Sequence, residues 1–407
     1  MPFHLYLHMP YCRRKCPYCD FFKKVPQSGE RERFAVALST ELDLAARHHS
    51  WATGSPATVY FGGGTPSLHT ADEIAFLLSR IRQVWGDFGE AEVTLETNPG
   101  TVDEVKLCAY RQAGVNRLSI GAQSFSARKL AMLYRDHIAD ETRACVQMAR
   151  HAGFTNLSLD LIFGLPGETL EEWRQDIYHA LDMNPEHVSL YNLEFHPNTI
   201  FDRWKRAGRL SPLDEDLEAE MYMMTHELMT EHGFAHYEVS NFGRPGYESV
   251  HNSAYWKGRP YLGVGPSAHS YDGQRLRSEN IADTHGYFGA IEEGHAPVAR
   301  SEAVDEQTRR EDWISLQLRQ SAGILYEDAV RELGDEEARI LWRRAAELPG
   351  DVCELKAGHV RLTSKGWFQE NSVLLWLFAT AKGDLPQRGT EAAFSKKPGT
   401  SPRPFGE

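Results

Sequence analysis

Three of the chain's six cysteines, Cys12, Cys16 and Cys19, fall within eight positions as CxxxCxxC in the run CRRKCPYCDF. Thiolates are the preferred ligands of iron–sulfur clusters, and three on one short loop can hold three corners of a [4Fe–4S] cube while the fourth iron stays open. Zinc is the alternative, but a closed zinc site normally pairs one CxxC with a second pair of Cys or His ligands. The spacing favours the cluster. Cys108, Cys145 and Cys353 are isolated and read as small buried thiols. Directly after the run ATVYF come Gly62, Gly63 and Gly64, then Thr65 and Pro66. A turn without Cβ atoms lets a ligand reach backbone amides and carbonyls, although a plain tight turn has the same composition. Glu96, Gln123, Arg135 and Asp160, separated by 27, 12 and 25 residues, lie at or near the ends of successive β-like runs. Singly, each reads as a capping or solvated residue; together they can bind ribose hydroxyls and a carboxylate at one mouth.

The elements that must position these groups show in the hydrophobic pattern. From the start to about residue 240, β-branched or aromatic runs (FHLYLH, ATVYF, EVTLE, NRLSIG, NLSLDLIF, HVSLYNLEF) alternate with amphipathic stretches. Glu30 to Arg47 sets Phe34, Leu38, Leu42 and Ala45 on one helical face, and Leu170 to Leu181 follows Thr169 with acidic residues in its first turn. The pattern predicts an α/β fold, a partial (β/α)6 barrel over residues 1–240, because the polar groups sit at the carboxyl ends of strands. AHYEVSNF reads as a seventh strand. Residues 241–304, rich in Gly and aromatics, read as an irregular connecting segment. Helical periodicity returns over 305–380, followed by the hairpin-like CELKAGHVRLTSKGWF and the apolar NSVLLWLF, which predicts a helical, winged-helix-like domain. Residues 381–407, with Pro386, Pro398, Pro402 and Pro404 among polar residues, read as a disordered tail.

The 407 residues suffice for two or three domains, and 41% hydrophobic residues supply a real core. Forty-four basic against 57 acidic residues give a net charge of −13, which repels phosphate backbones. Winged helices usually bind DNA, but residues 305–378 hold 10 basic and 14 acidic residues, so a groove-reading surface is disfavoured. No apolar run approaches the roughly 18 residues of a membrane span, and MPFHLYLHMPYC lacks a signal peptide's basic flank. The expectation is a soluble, cytoplasmic protein without nucleic acid or an integral membrane segment.

The run YLHMPYCRRKCPYCDF resembles the opening of the radical S-adenosylmethionine (SAM) superfamily, and its flanks resemble the HemN/HemW branch of oxygen-independent coproporphyrinogen oxidases and heme chaperones. The resemblance runs from about Met1 to about Leu377. It implies a [4Fe–4S] cluster on Cys12, Cys16 and Cys19 whose open iron takes the amino and carboxylate groups of SAM. It implies further that Gly63, Gly64 and Thr65 bind the amino group, that Tyr6 and Glu96 orient SAM, that Arg135 pairs with a carboxylate and that Gln123 and Asp160 contact ribose. Two features set the sequence nearer the chaperones. The oxidases resembled here carry a further cysteine two positions past the triplet and a long extension before it, whereas this sequence has Phe21 there and eleven residues before Cys12. The run HNSAYW, His251 to Trp256, matches the chaperones' HNxxYW heme motif. A His can ligate heme iron axially while Tyr255 and Trp256 offer flat faces to a macrocycle, and packing is the plain alternative for all three. The implied function is binding of heme and its delivery to respiratory enzymes, with a homodimer possible; oxidative decarboxylation of coproporphyrinogen III is the alternative.

Overall fold

The computed structural model describes residues 2–378, so the tail expected over 381–407 lies outside the described residues. Six parallel strands form the centre: β1 (His4–Met9), β2 (Thr58–Gly63), β3 (Glu92–Thr97), β4 (Arg117–Gln123), β5 (Leu157–Phe163) and β6 (His187–Asn192). They lie side by side in chain order. Helices α1 (Glu30–His48), α2 (Ala71–Trp85), α3 (Glu104–Ala113), α4 (Ala127–Met132), α5 (Ala139–His151) and α6 (Leu170–Asp182) connect them. Each strand is apolar on the face these helices cover, as β1 shows with Leu5, Leu7 and Met9 fully buried. Phe34, Leu38, Leu42 and Ala45 of α1 all enter the core. Capping boxes start α2 at Thr70 and Glu73 and α6 at Thr169 and Glu172, satisfying amide groups that a helix start leaves orphaned.

After β6 come α7 (Ile200–Arg206), α8 (Glu215–Glu231), β7 (Ala235–Glu238) and β8 (Asn241–Gly243). The expected seventh strand is therefore two. The chain reverses at Val239 and Ser240, and β8 pairs antiparallel with both β6 and β7. Residues 241–304 are not irregular either. They contain α9 (Val250–Trp256), β9 (Tyr261–Val264), β10 (His269–Tyr271), β11 (Leu276–Asn280), α10 (Thr284–Glu292) and β12 (Val298–Ala303). β9 pairs parallel with β1, so this segment extends the same sheet to twelve strands on its other side. These strands escape the hydrophobic pattern because they are short, and LRSEN and VARSEA are mostly polar and leave half or more of their side chains partly exposed.

The remaining residues build α11 (Glu306–Leu318), β13 (Ile324–Leu325), α12 (Tyr326–Leu333), α13 (Asp335–Ala345), β14 (Cys353–Lys356), β15 (His359–Leu362), α14 (Ser364–Phe368) and α15 (Glu370–Phe378). Here β13, between α11 and α12, joins the hairpin of β14 and β15 in a three-stranded antiparallel sheet ordered β13-β15-β14. No helix among the described residues is long and apolar enough to cross a membrane.

Candidate functional site

The cysteine loop leaves the carboxyl end of β1 and is closed by backbone bonds: Cys12 N–H donates to Lys24 O at 2.9 Å, and Lys24 N–H to Pro10 O at 2.7 Å. The glycine turn at the end of β2 docks on the same stretch, with Gly64 N–H donating to Met9 O at 2.9 Å and Thr65 N–H to Tyr11 O at 2.8 Å. Glycine is required there. A Cβ on Gly64 would meet the backbone of Met9, Pro10 and Tyr11 at 2.7–2.8 Å, and Gly63 has φ +104° with the His8 ring against it. Thr65 Oγ1 donates to Cys12 Sγ at 3.6 Å. Arg135, from beyond β4, brings Nη1 to 4.0 Å from Cys16 Sγ and holds Gly121 O at 2.9 Å with Nη2.

Burial pushes the Cys12 thiol up to about 11, and Cys19 and Cys16 lie near enough to raise it further. Burial also raises Cys19, against the pull of Lys23. Thiols in this state ionise when a metal replaces their protons. Among the described residues no three His, Cys, Asp or Glu side chains converge as ligands of a single ion would. Three thiols around one cavity, with a guanidinium and a hydroxyl beside the sulfurs, fit a polynuclear cluster by their donor set.

Glu96 accepts from Tyr60 OH at 3.0 Å and from Gly63 N–H at 3.1 Å, so its carboxylate braces the glycine turn. Asp160 is half-buried in the cavity wall and accepts from Ser119 Oγ at 2.9 Å and Ser158 Oγ at 3.3 Å; desolvation still raises its pKa above the ordinary range. Gln123 takes φ +63° where the β4–β5 register shifts, a backbone strain of the kind held at binding sites. Tyr6 OH donates to His8 Nδ1 at 3.1 Å, because His8 Nε2–H is spent on Phe22 O at 2.8 Å. Burial lowers the His8 pKa to about 4, so the ring stays neutral in this role.

All twelve residues singled out from the sequence line one cavity of about 810 Å³. His251 neighbours Thr58 and His4, the first residues of β2 and β1, and its ring lies 6.4 Å from that of Tyr6. There His251 is 1% exposed, with Nδ1 2.6 Å from Thr58 Oγ1, Nε2 2.9 Å from Tyr255 OH, and its ring stacked on Tyr60 at 4.9 Å. Thr58 Oγ1 also contacts His4 Nδ1 at 2.9 Å. Both imidazole nitrogens are engaged, so His251 does not fit the axial ligand that the HNxxYW resemblance implies. The motif instead closes the floor. Trp256 O accepts from Gln317 and Gln320 at 3.1 Å each, and Arg319 stacks on the Trp256 ring at 4.8 Å.

His8, Tyr60, Ser119 and Arg117 also belong to the site and are not among the residues expected from the sequence. His4, Tyr6 and His8 alternate along β1, so a period-two count of polar residues within a buried strand marks His8 as facing the interior. Arg117 carries no comparable signal. It is 2% exposed at the start of β4, with Glu92 4.0 Å away.

A profile of the Radical SAM superfamily matches residues 6–178. The chain is 33% identical to the heme chaperone HemW of Synechocystis over 95% of this chain and 98% of that protein. It is 36% identical to the heme chaperone HemW of Bacillus subtilis over 78% of this chain and 84% of that protein. Among solved structures it resembles the coproporphyrinogen III oxidase HemN of Escherichia coli, with a TM-score of 0.77 and 22% identity over 92% of this chain and 90% of that one. At that identity the likeness concerns the fold. The identity to two chaperones over most of their length is the decisive match, and the chain belongs to the HemW family of the radical SAM superfamily.

Proposed function

We propose that this protein is a heme chaperone that holds a [4Fe–4S] cluster and SAM, binds heme and hands it to respiratory enzymes. The observation that carries the reading is the shared cavity: the cysteines, the glycine turn and the polar strand ends open into one space in a chain similar to heme chaperones almost throughout. Cys12, Cys16 and Cys19 would hold the cluster, with Arg135 offsetting charge at Cys16. When bound, cluster and SAM supply the one-electron chemistry, and the protein's part is to position and enclose them. Gly63, Gly64 and Thr65 would offer backbone groups to the amino end of SAM. Glu96 and Tyr6 would set its orientation, Arg135 would pair with its carboxylate, and Gln123 and Asp160 would take the ribose hydroxyls. Delivery in the cytoplasm and action as a homodimer belong to this reading.

Phe21 stands where the oxidases resembled carry a cysteine, and it lines the cavity mouth. Anaerobic reconstitution tests the choice. The expected sample contains about four irons and four sulfides per chain, shifts the Soret band on hemin titration and releases no carbon dioxide from coproporphyrinogen III. Turnover of that substrate to protoporphyrinogen overturns the reading.

A further inference from the structure

The twelve-stranded sheet ends in β7 on one side and β12 on the other. The β7 edge is covered: Ser321 N–H donates to Tyr237 O at 3.0 Å and Val239 N–H to Arg319 O at 3.1 Å. β12 pairs with β11 and, among the described residues, with no other strand. Val304 N–H donates to Arg275 O at 2.8 Å, which sets the phase of the β11–β12 ladder. Opposed residues of antiparallel strands alternate between hydrogen-bonded and non-bonded pairs. Glu302 and Arg300 therefore turn their backbone groups inward to Arg277 and Glu279, and Ser301 and Ala303 turn theirs outward, where both residues are exposed. A row of outward N–H and C=O groups is a template for another strand.

The charges on β12 decide which strand fits. Arg300 and Glu302 share one face, with side chains 69% and 36% exposed. Arg300 stands opposite Glu279 of β11, and Glu302 opposite Arg277. Laying a second β12 antiparallel about a two-fold axis at Ser301 brings Arg300 opposite Glu302 of the second copy, and Glu302 opposite its Arg300. The four strands then carry the alternating row Glu279, Arg300, Glu302, Arg277, and the axis repeats it. The same axis sets Ser301 against Ser301, both turned outward, so each donates its N–H to the other's carbonyl. The charged pairs fall at the non-bonded positions, where side chains stand closest. An axis at Arg300 or at Glu302 also satisfies the hydrogen bonds but faces like charges, which is destabilising. Hydrogen-bond phase and charge together leave one register.

We infer that a second copy of this chain docks on β12, strand against antiparallel strand about Ser301, joining the two sheets edge to edge. This names the surface of the homodimer in the reading above and rests on that part of it. The contact is isologous and closes at two subunits. The register shift between Glu279 and Asn280 kinks the edge beyond Arg300 and keeps the pairing short, so the dimer is a reversible one. None of residues 298–303 lines the described cavity, and each subunit keeps its own site.

Sedimentation equilibrium of the whole reconstituted chain over a range of concentrations tests the contact, with iron and sulfide counts and a hemin titration for every variant. The wild type should show a monomer–dimer equilibrium. Ser301→Pro removes an outward N–H at a position where an edge strand tolerates proline, and should leave a monomer with wild-type cluster content and hemin affinity. Arg300→Glu and Glu302→Arg should each weaken dimerisation at least about ten-fold. An equimolar mixture of those two variants should recover it, because each chain then supplies the charges that the other lacks; damage to the fold of either variant would give no such recovery. A wild type that stays monomeric overturns the inference and the homodimer with it, while its hemin binding keeps the chaperone reading in place. A dimer that survives Ser301→Pro, or a mixture that fails to recover, overturns this interface and leaves the homodimer standing.

Discussion

At the scale of single residues, the enclosed carboxyl of Glu41 makes the sharpest pH prediction. It accepts from Gly265 N–H at 2.7 Å, Asn280 Nδ2 at 2.6 Å and Tyr287 OH at 2.5 Å, yet burial outweighs these bonds and raises its pKa to about 7. A carboxyl whose folded pKa exceeds its unfolded one favours folding while protonated, and that contribution fades as pH rises from the ordinary carboxyl value through about 7. The unfolding free energy of the wild type minus that of Glu41→Gln should therefore fall between pH 5 and pH 8; a flat difference refutes it. His4 and His8, lowered by burial to about 4, act in the opposite sense and weaken the fold as pH drops below 6.5, which is why the difference is the useful quantity. Cysteine chemistry was legible in the sequence because ligand spacing is a local property. Glu41 was not, because its three partners come from the turn after β9, from β11 and from α10, 224 to 246 residues away. His251 shows the converse. A motif named its residue type, but only the fold shows both nitrogens occupied.

At the scale of elements, the contact between the glycine turn of β2 and the end of β1 carries the site. Gly64→Ala forces a methyl group into three backbone atoms at 2.7–2.8 Å and should cost about 1–3 kcal/mol in denaturant titration, with cluster occupancy falling alongside. The floor makes a separate prediction. Thr58→Val removes the hydroxyl that bridges His4 and His251 and leaves two buried nitrogens without it, which should cost about 1–3 kcal/mol while iron and sulfide content stays at the wild-type level. The six parallel strands and the α1 and α6 helices were legible because apolar runs and capping residues repeat at their expected periods. The β7–β8 reversal and the strands β9–β12 were not, since a three-residue strand is too short to show a period and the polar edges β11 and β12 look like loops.

At the scale of the whole molecule, residues of the carboxyl-terminal helices α14 and α15, with Arg319 after α11, form part of the wall of the barrel cavity. Arg319 joins Glu370 at 3.1 Å, stacks on Trp256 and lines the cavity beside Trp367. Burial raises the Glu370 pKa, so Arg319→Met leaves that carboxyl without its partner and should destabilise the protein by about 3–5 kcal/mol in chemical unfolding. The acidic balance of residues 305–378 gives this end no electrostatic attraction for a phosphate backbone. The cysteine loop lines the same cavity. The most direct measurement is transfer: protein reconstituted without oxygen and loaded with hemin is mixed with a heme-free respiratory cytochrome, and the acceptor's absorption is followed. The account predicts that the acceptor gains its heme spectrum as the donor loses its own, faster than from free hemin at the same concentration. Hemin that never leaves the donor, or reaches the acceptor no faster than free hemin does, contradicts it.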